Sequence, residues 1–278
     1  MKIAIQGGQA SFHHIAANKF FGHDVEIAEE ATFEGLCSTI DSGDVDYGLM
    51  AIENSIAGTI LLNYKLIEEY GLKIVGEYKL RIKQNLMALP GQKVEDLKKV
   101  RSHYMALAQC KEFLRLESQK HIEQVEYYDT ADAAKLISDT QERGGAAIAS
   151  EMAAEKYGLE IYAEEIETIK QNYTRFFVLA KDPKNYPVVQ KNNKSTISFR
   201  LKHEVGSLAM ALQAVVENNI NLTKIQSVPI IGKPDEYTFY IDCLWSDIQD
   251  LKECLVGMRS SIDEMTILGE YQNMEVEL

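Results

Sequence analysis

The sequence predicts an α/β chain in two parts, and three observations carry that expectation. Over residues 1–180 short apolar runs alternate with helical periodicity, as in a largely parallel sheet covered on both faces. From residue 195 the apolar residues recur at every second position, as in antiparallel strands with one wet face. Between them, residues 181–194 hold two prolines, three asparagines and four lysines with little to bury, and read as a linker.

In the first part, residues 2–6, 25–28 and 47–52 read as strands, with helices through Ala16 and Ala17 and over Phe33, Leu36 and Ile40. Residues 86–89, 125–128, 146–149 and 176–180 supply further strands, with helices over 106–117 and 131–137. Periodicity alone suits one sheet or two lobes equally. In the second part, the alternation of Ile197, Phe199 and Leu201, of Tyr237, Phe239, Ile241 and Cys243, and of Met265, Ile267, Gly269 and Tyr271 marks strands. Leu208, Leu212, Val215 and Val216 form one helical stripe, and Ile248, Leu251 and Leu255 another. With residues 222–228 as a strand, the order is β-α-β-β-α-β, the ferredoxin-like arrangement.

At 278 residues the chain is too long for one comfortable core. Its 46% apolar and 26% charged residues are ordinary for a packed globular protein. A formal net charge of −13, with no compact Lys/Arg run, argues against nucleic acid and anionic membrane surfaces as partners. The apolar stretch at residues 1–8 has the length of a strand rather than of a signal peptide, and no run is long enough to span a bilayer, so a cytoplasmic location is expected. Cys37, Cys110, Cys243 and Cys254 lack metal-binding spacing and read as reduced, buried thiols. No metal and no cofactor are expected.

Four segments carry residues suited to chemistry. Gly7 to Phe12 joins a strand to a helix, where backbone amides and the Ser11 hydroxyl suit an anion; a plain turn capped by Ser11 is the simpler alternative. Glu53, Asn54, Ser55 and Gly58 follow a strand, where open α/β sheets bind ligands; a polar loop with Ser55 as a cap is the lesser alternative. In the third segment Ser102 is expected to cap a helix that carries Gln109 two turns along, beside His103; His103 reads as an acid or as a structural cap. The fourth, Asn172 to Phe177, opens an apolar strand with Thr174 and Arg175, whose guanidinium can grip a carboxylate with two hydrogen bonds; an exposed strand entry is the plainer reading.

Together, in this order, the four segments resemble the prephenate dehydratase family. The family's Ile-Glu-Asn-Ser-x-x-Gly loop is matched at Ile52 to Ser55 and Gly58, its Ser-His-Pro-x-Ala-Leu-x-Gln-Cys segment at Ser102, His103, Ala106, Leu107, Gln109 and Cys110, and its Asn-x-Thr-Arg-Phe strand at Asn172 and Thr174 to Phe176. The opening motif is looser, with Gly8, Ala10 and His13 where the family usually has Pro, Gly and Ser or Thr.

The resemblance implies a two-lobed catalytic domain, similar to type II periplasmic binding proteins, over residues 1–182, with lobe one at about 1–77 and 167–182 and lobe two at about 78–166. A linker at 183–194 and a ferredoxin-like ACT regulatory domain at 195–278 would follow. The implied reaction converts prephenate to phenylpyruvate with loss of water and CO2, on the route to L-phenylalanine. Thr174 is implied as the hydroxyl serving the departing oxygen, and Arg175 as a carboxylate clamp. Asn54 and Gln109 would orient the substrate, with Glu53 or His103 as the proton source. Ser11, Phe12, Ser55, Gly58, Ser102, Asn172 and Phe176 are implied around the substrate. Phenylalanine is the implied effector, at Gly206, Ser207 and Leu208 and at Gln226 and Ser227, where Gln226 and Val228 replace the family's acid and arginine. A homodimer or homotetramer is expected. Arogenate, the amino analogue of prephenate, is an alternative substrate, and a non-catalytic small-molecule sensor is an alternative function.

Overall fold

The computed structural model describes residues 1–117, 122–182 and 192–274. The linker expected at 183–194 lies mostly outside the described residues, and its last member, Lys194, already belongs to a strand. The described chain divides into two compact units. One comprises Met1–Ile60 and Tyr78–Phe176, the other Leu61–Glu77 and Phe177–Leu278.

In the first unit the chain begins β1 (Lys2–Gln6), α1 (Phe12–Phe21), β2 (Glu26–Glu30), α2 (Phe33–Ser42) and β3 (Tyr47–Asn54). Strand β1 lies between β2 and β3, parallel to both. It is inaccessible at Ile3, Ala4 and Ile5 because helices cover both faces, so it reads as an unbroken apolar run. Helix α2 starts where the Thr32 hydroxyl accepts the N–H of Gly35, and stops at Gly43, whose left-handed φ of 81° ends the helix without a Cβ clash. A two-residue strand β4 (Gly58–Thr59) folds back on β3.

The chain continues through α3 (Leu61–Glu69) and β5 (Lys73–Arg81) to a second sheet. Its elements are β6 (Asn85–Ala88), β7 (Lys99–Ser102), α4 (Tyr104–Gln109), α5 (Lys111–Glu117), β8 (Glu123–Glu126), α6 (Thr130–Thr140), β9 (Gly145–Ala149), α7 (Glu151–Tyr157) and β10 (Glu160–Ala163). The strand order is β10-β6-β9-β7-β8. The central strand β9, Gly-Ala-Ala-Ile-Ala, is buried throughout. Its small side chains let helices approach closely on both faces: α6 and α7 pack through Ala131, Ala134, Ile137 and Ala153 on one, and Leu107, Cys110 and Leu114 cover the other. Burying a side chain such as Ile148 contributes about 1.5–3 kcal/mol. Two sheets flanked by helices give the two-lobed α/β architecture that the family resemblance implies.

The second unit is built on β12 (Lys194–Leu201), α8 (Ser207–Glu217), β13 (Asn221–Pro229), β14 (Tyr237–Leu244), α9 (Ile248–Met258) and β15 (Ile262–Tyr271), after the long strand β11 (Tyr173–Ala180) that runs from one unit into the other. The sheet order β13-β14-β12-β15, antiparallel throughout, is the ferredoxin-like one. Helices α8 and α9 cover one face through Ala211, Val215, Leu251 and Cys254. The expected wet face holds for the edge strand β13, whose residues alternate between exposed and half-buried, and for β15 at Glu264, Thr266 and Glu270. Strand β12 is buried on both faces because α3 belongs to this unit: Glu68 on α3 accepts hydrogen bonds from Ser198 and Tyr240. Polar residues that alternation assigned to water are instead hydrogen-bonded inside the protein.

Candidate active site

A cavity of about 720 Å³ lies in the first unit, between loops of its two sheets. Its apolar wall includes Phe12, Phe33 and Phe176, and His13 stands edge-on to Phe176 at 5.0 Å between ring centres. Volume and lining suit one small ring-bearing molecule.

Asn54 fixes the polar wall. Its Oδ1 accepts the backbone N–H groups of Ile56 (3.0 Å) and Ala57 (2.9 Å), closing the turn between β3 and β4. That leaves its amide nitrogen to donate, and it does so to Asn172 Oδ1 (2.8 Å) and to Thr174 Oγ1 (3.1 Å). Asn172, fully buried, passes the polarity on by donating from Nδ2 to Gln109 Oε1 at 2.9 Å. Each amide in this chain has one orientation that satisfies its neighbours. The two ends follow: the Thr174 hydroxyl, already an acceptor, keeps its proton to donate, and Gln109 keeps its NH2 group. Both residues line the cavity.

The loop before α1 supplies the opposite wall. Ser11 caps α1, accepting the N–H of His14 at 3.3 Å. Ala10, where the family usually has Gly, sits at a left-handed φ of 66°, a position that favours glycine. It is held there by hydrogen bonds from its N–H to His14 Nδ1 (2.9 Å) and from Ser150 Oγ to its carbonyl (2.7 Å). The N–H groups of Gly7 and Ser11 are taken by the Glu30 and Gly8 carbonyls and those of His14 and Ile15 by Ser11, which leaves the first-turn amides of Phe12 and His13 for an anion.

Of the residues expected at the site, Ser11, Phe12, Asn54, Gly58, His103, Gln109, Thr174 and Phe176 line the cavity. The others do not. Arg175 lies between Thr174 and Phe176 on one strand, is 8% exposed, and is not among the residues that line the cavity. Glu53, next to Asn54, is likewise not among the lining residues. Ser55 secures the return strand, donating to Gln171 O and accepting from Tyr173 N, each at 2.9 Å. Ser102 is inaccessible and donates to Ile148 O at 2.6 Å; His103, not Ser102, caps α4, through Nδ1 to the N–H of Met105. Asn172 positions its neighbours from behind the wall.

Sequence reading missed His13, Gln84 and Asp129, all in the lining. Burial lowers the His13 imidazole to about 3, and its Nε2 accepts the N–H of Ala51, so the ring is neutral. Burial also lowers His103, opposed by the nearby charges of Asp129 and Glu126. Asp129 is raised, by burial first, against the hydrogen bonds it accepts at the start of α6. The one sign of Asp129 was an acid ahead of an alanine-rich helix, which reads as a cap.

In the second unit a cavity of about 800 Å³ is lined by Gly206, Ser207 and Leu208 at the start of α8 and by Tyr237 and Phe239. Gly206 supplies the left-handed turn, with φ 90°. Gln226 and Ser227 do not reach this cavity: β13 is the edge strand, and Gln226 donates to its neighbour's carbonyl.

Comparison with known proteins places this geometry. The chain is 38% identical over 286 residues to arogenate dehydratase 2 of Petunia hybrida, covering 98% of this chain and 71% of that protein. It is 33% identical over 279 residues to prephenate dehydratase of Lactococcus lactis, covering 98% and 97%. Among solved structures, GqqA, described as a quorum-quenching acylase, matches at TM-score 0.85 and 26% identity over 99% of this chain and 98% of that one. A prephenate dehydratase of Arthrobacter aurescens in complex with L-Phe matches at TM-score 0.85 and 23% identity, over 98% and 90%, a likeness of fold. The family model for prephenate dehydratase matches residues 3–184, and the chain belongs to that family.

Proposed function

We propose that this protein is a prephenate dehydratase, a hydro-lyase that converts prephenate to phenylpyruvate with loss of water and CO2 in L-phenylalanine biosynthesis. The observation that carries the chemistry is the Thr174 hydroxyl: its acceptor side is taken by Asn54, so its proton points to the substrate's departing oxygen. A threonine hydroxyl is too weak an acid to act alone, and it works by stabilising the oxygen as charge develops or by relaying a proton. Gln109 holds the substrate through its outward NH2, and Phe12, Phe33 and Phe176 enclose the ring. One carboxylate sits on the first amides of α1 beside Ser11, favoured by the helix dipole. Loss of CO2 completes an aromatic ring, which supplies the thermodynamic drive. A polar pocket closed to water strengthens each of these interactions.

The ferredoxin-like unit is an ACT domain that senses phenylalanine, at the cavity around Gly206, Ser207 and Leu208. Residues 1–182 form the catalytic domain and 195–278 the regulatory one, with α3 serving the sheet of the latter. The exposed edge strand β13, with Ile225 48% exposed, suits pairing with a second copy, giving a homodimer or homotetramer. No helix among the described residues is long and apolar enough to cross a membrane, and the protein works in the cytoplasm.

The test is direct. Incubated with prephenate at neutral pH, the purified protein forms phenylpyruvate far above the spontaneous rate, and phenylalanine lowers that rate. Product at only the spontaneous rate would refute the enzyme; an active enzyme indifferent to phenylalanine would refute the effector alone.

A further inference from the structure

Asp129 caps α6 with one carboxylate oxygen only. Its Oδ1 accepts the N–H groups of Ala131 (2.7 Å) and Asp132 (3.1 Å), while Oδ2 has no hydrogen-bond partner among the described residues. The residue lines the cavity. Its Oδ2 faces the loop that leads into α1: a Cβ placed on Gly7 would stand 3.1 Å from Asp129 Oδ2 and 3.6 Å from Ser11 Cβ. Asp129 Oδ2 and Ser11, the cap of α1, are therefore close neighbours beside Gly7.

This closeness sets opposite charges at short range. On one side are the first amides of α1, which favour an anion. On the other is a carboxylate oxygen, which favours a cation. An α-amino acid carries carboxylate and ammonium on a single carbon, and so matches both walls at once. The α-keto acid of prephenate presents a neutral carbonyl where Asp129 calls for a donor. The rest of the lining includes no Lys or Arg, and burial lowers both of its histidines, His13 and the His103 beside Asp129.

We propose that Asp129 is the specificity-determining residue of this site, its Oδ2 receiving the α-ammonium of arogenate while the neighbouring carboxylate lies on the first amides of α1. The inference rests on the dehydratase reading and sharpens its substrate: the site takes the amino analogue as well as prephenate, and Asp129 sets the ratio between them. Charge-assisted hydrogen bonds of this kind are the strong ones, and truncating one partner falls on substrate binding.

The test measures kcat and KM on both substrates for the wild type, Asp129→Asn and Asp129→Ser. Serine caps a helix as well as aspartate does, so Asp129→Ser removes the charge and keeps α6 capped; its melting temperature reports the fold. The expected result is a fall of about tenfold or more in the arogenate-to-prephenate ratio of kcat/KM in both variants, carried mainly by KM for arogenate. An unchanged ratio, or parallel losses on both substrates, would overturn the role of Asp129 and leave the dehydratase standing. A wild type that turns over neither substrate would overturn the dehydratase reading, and this inference with it.

Discussion

The catalytic cavity and the sheet of the ferredoxin-like unit both bury polar side chains, but they spend them differently. In the sheet, buried polar groups satisfy one another. Lys194 donates to both oxygens of Glu77 at 3.0 and 3.1 Å, with exposures of 2% and 0%. Thr196 bonds Asp242 and Tyr271, and the Trp245 indole donates to Ser195. In the cavity the chain of amides from Gln109 through Asn172 and Asn54 to Thr174 runs in one direction and ends with donors facing inward. A closed network specifies a fold, and an open-ended one leaves hydrogen-bonding capacity for a substrate.

The largest expected effect that separates the two regions is on stability. Lys194→Met takes the cation from beside a fully buried carboxylate, and should cost about 3–5 kcal/mol in denaturant unfolding, with kcat on prephenate unchanged once the variant is folded. A loss of kcat without loss of stability would break the comparison. Thr174→Val should do the reverse: kcat falls about 10²–10³-fold, the loss seen when one preorganised donor is removed, and the unfolding midpoint hardly moves. Asn172→Ala sits between, because it leaves Gln109 and Asn54 each short of a partner. It should cost about 1–3 kcal/mol in stability and lower kcat as Thr174 and Gln109 lose their fixed orientation.

The smallest effect is one of pH. His13 is held neutral to about 3 in the folded chain, whereas an ordinary histidine takes up its proton near 6.5. The unfolded chain therefore binds more protons below pH 6.5, and stability falls as the pH drops from there toward 3, by at most about 1.4 kcal/mol per unit from this residue. Unfolding curves at pH 7 and pH 5 for the wild type and His13→Gln should show the slope shrinking in the variant. An equal slope would place the pH dependence elsewhere.

Strands and helices were legible where a single face or a short apolar run decided them. The antiparallel β12, β14 and β15, the stripes of α8 and α9, and the small-residue β9 all follow from local pattern. The site was legible where a polar residue ends a strand and turns inward, as at Asn54 and Thr174. Arg175 and Glu53 lie outside the cavity lining for one physical reason: side chains alternate across a strand, and the motif gives the neighbours of Thr174 and Asn54 without saying which face meets the cavity. Ser55 and Ser102 carry hydroxyls that local sequence cannot tell from ligands, because their partners, Gln171, Tyr173 and Ile148, are 46 residues away or more. Asp129 escaped notice because folding from a distant segment, not any motif, brings it to the cavity, and His13 because it stands in the opening motif as a departure from the family's Ser or Thr. The helix expected over 106–117 splits at Cys110 into α4 and α5. The covered face of β12 was hidden because α3, more than a hundred residues earlier, completes that unit.

The central claim is that Thr174 acts through a hydroxyl proton aimed by Asn54, and the rate of phenylpyruvate formation by Thr174→Ser beside Thr174→Val tests it most directly. Serine keeps the hydroxyl, so the account predicts a rate within about tenfold of wild type for Thr174→Ser and the 10²–10³-fold loss for Thr174→Val. Equal losses in the two variants, or none in either, would contradict it.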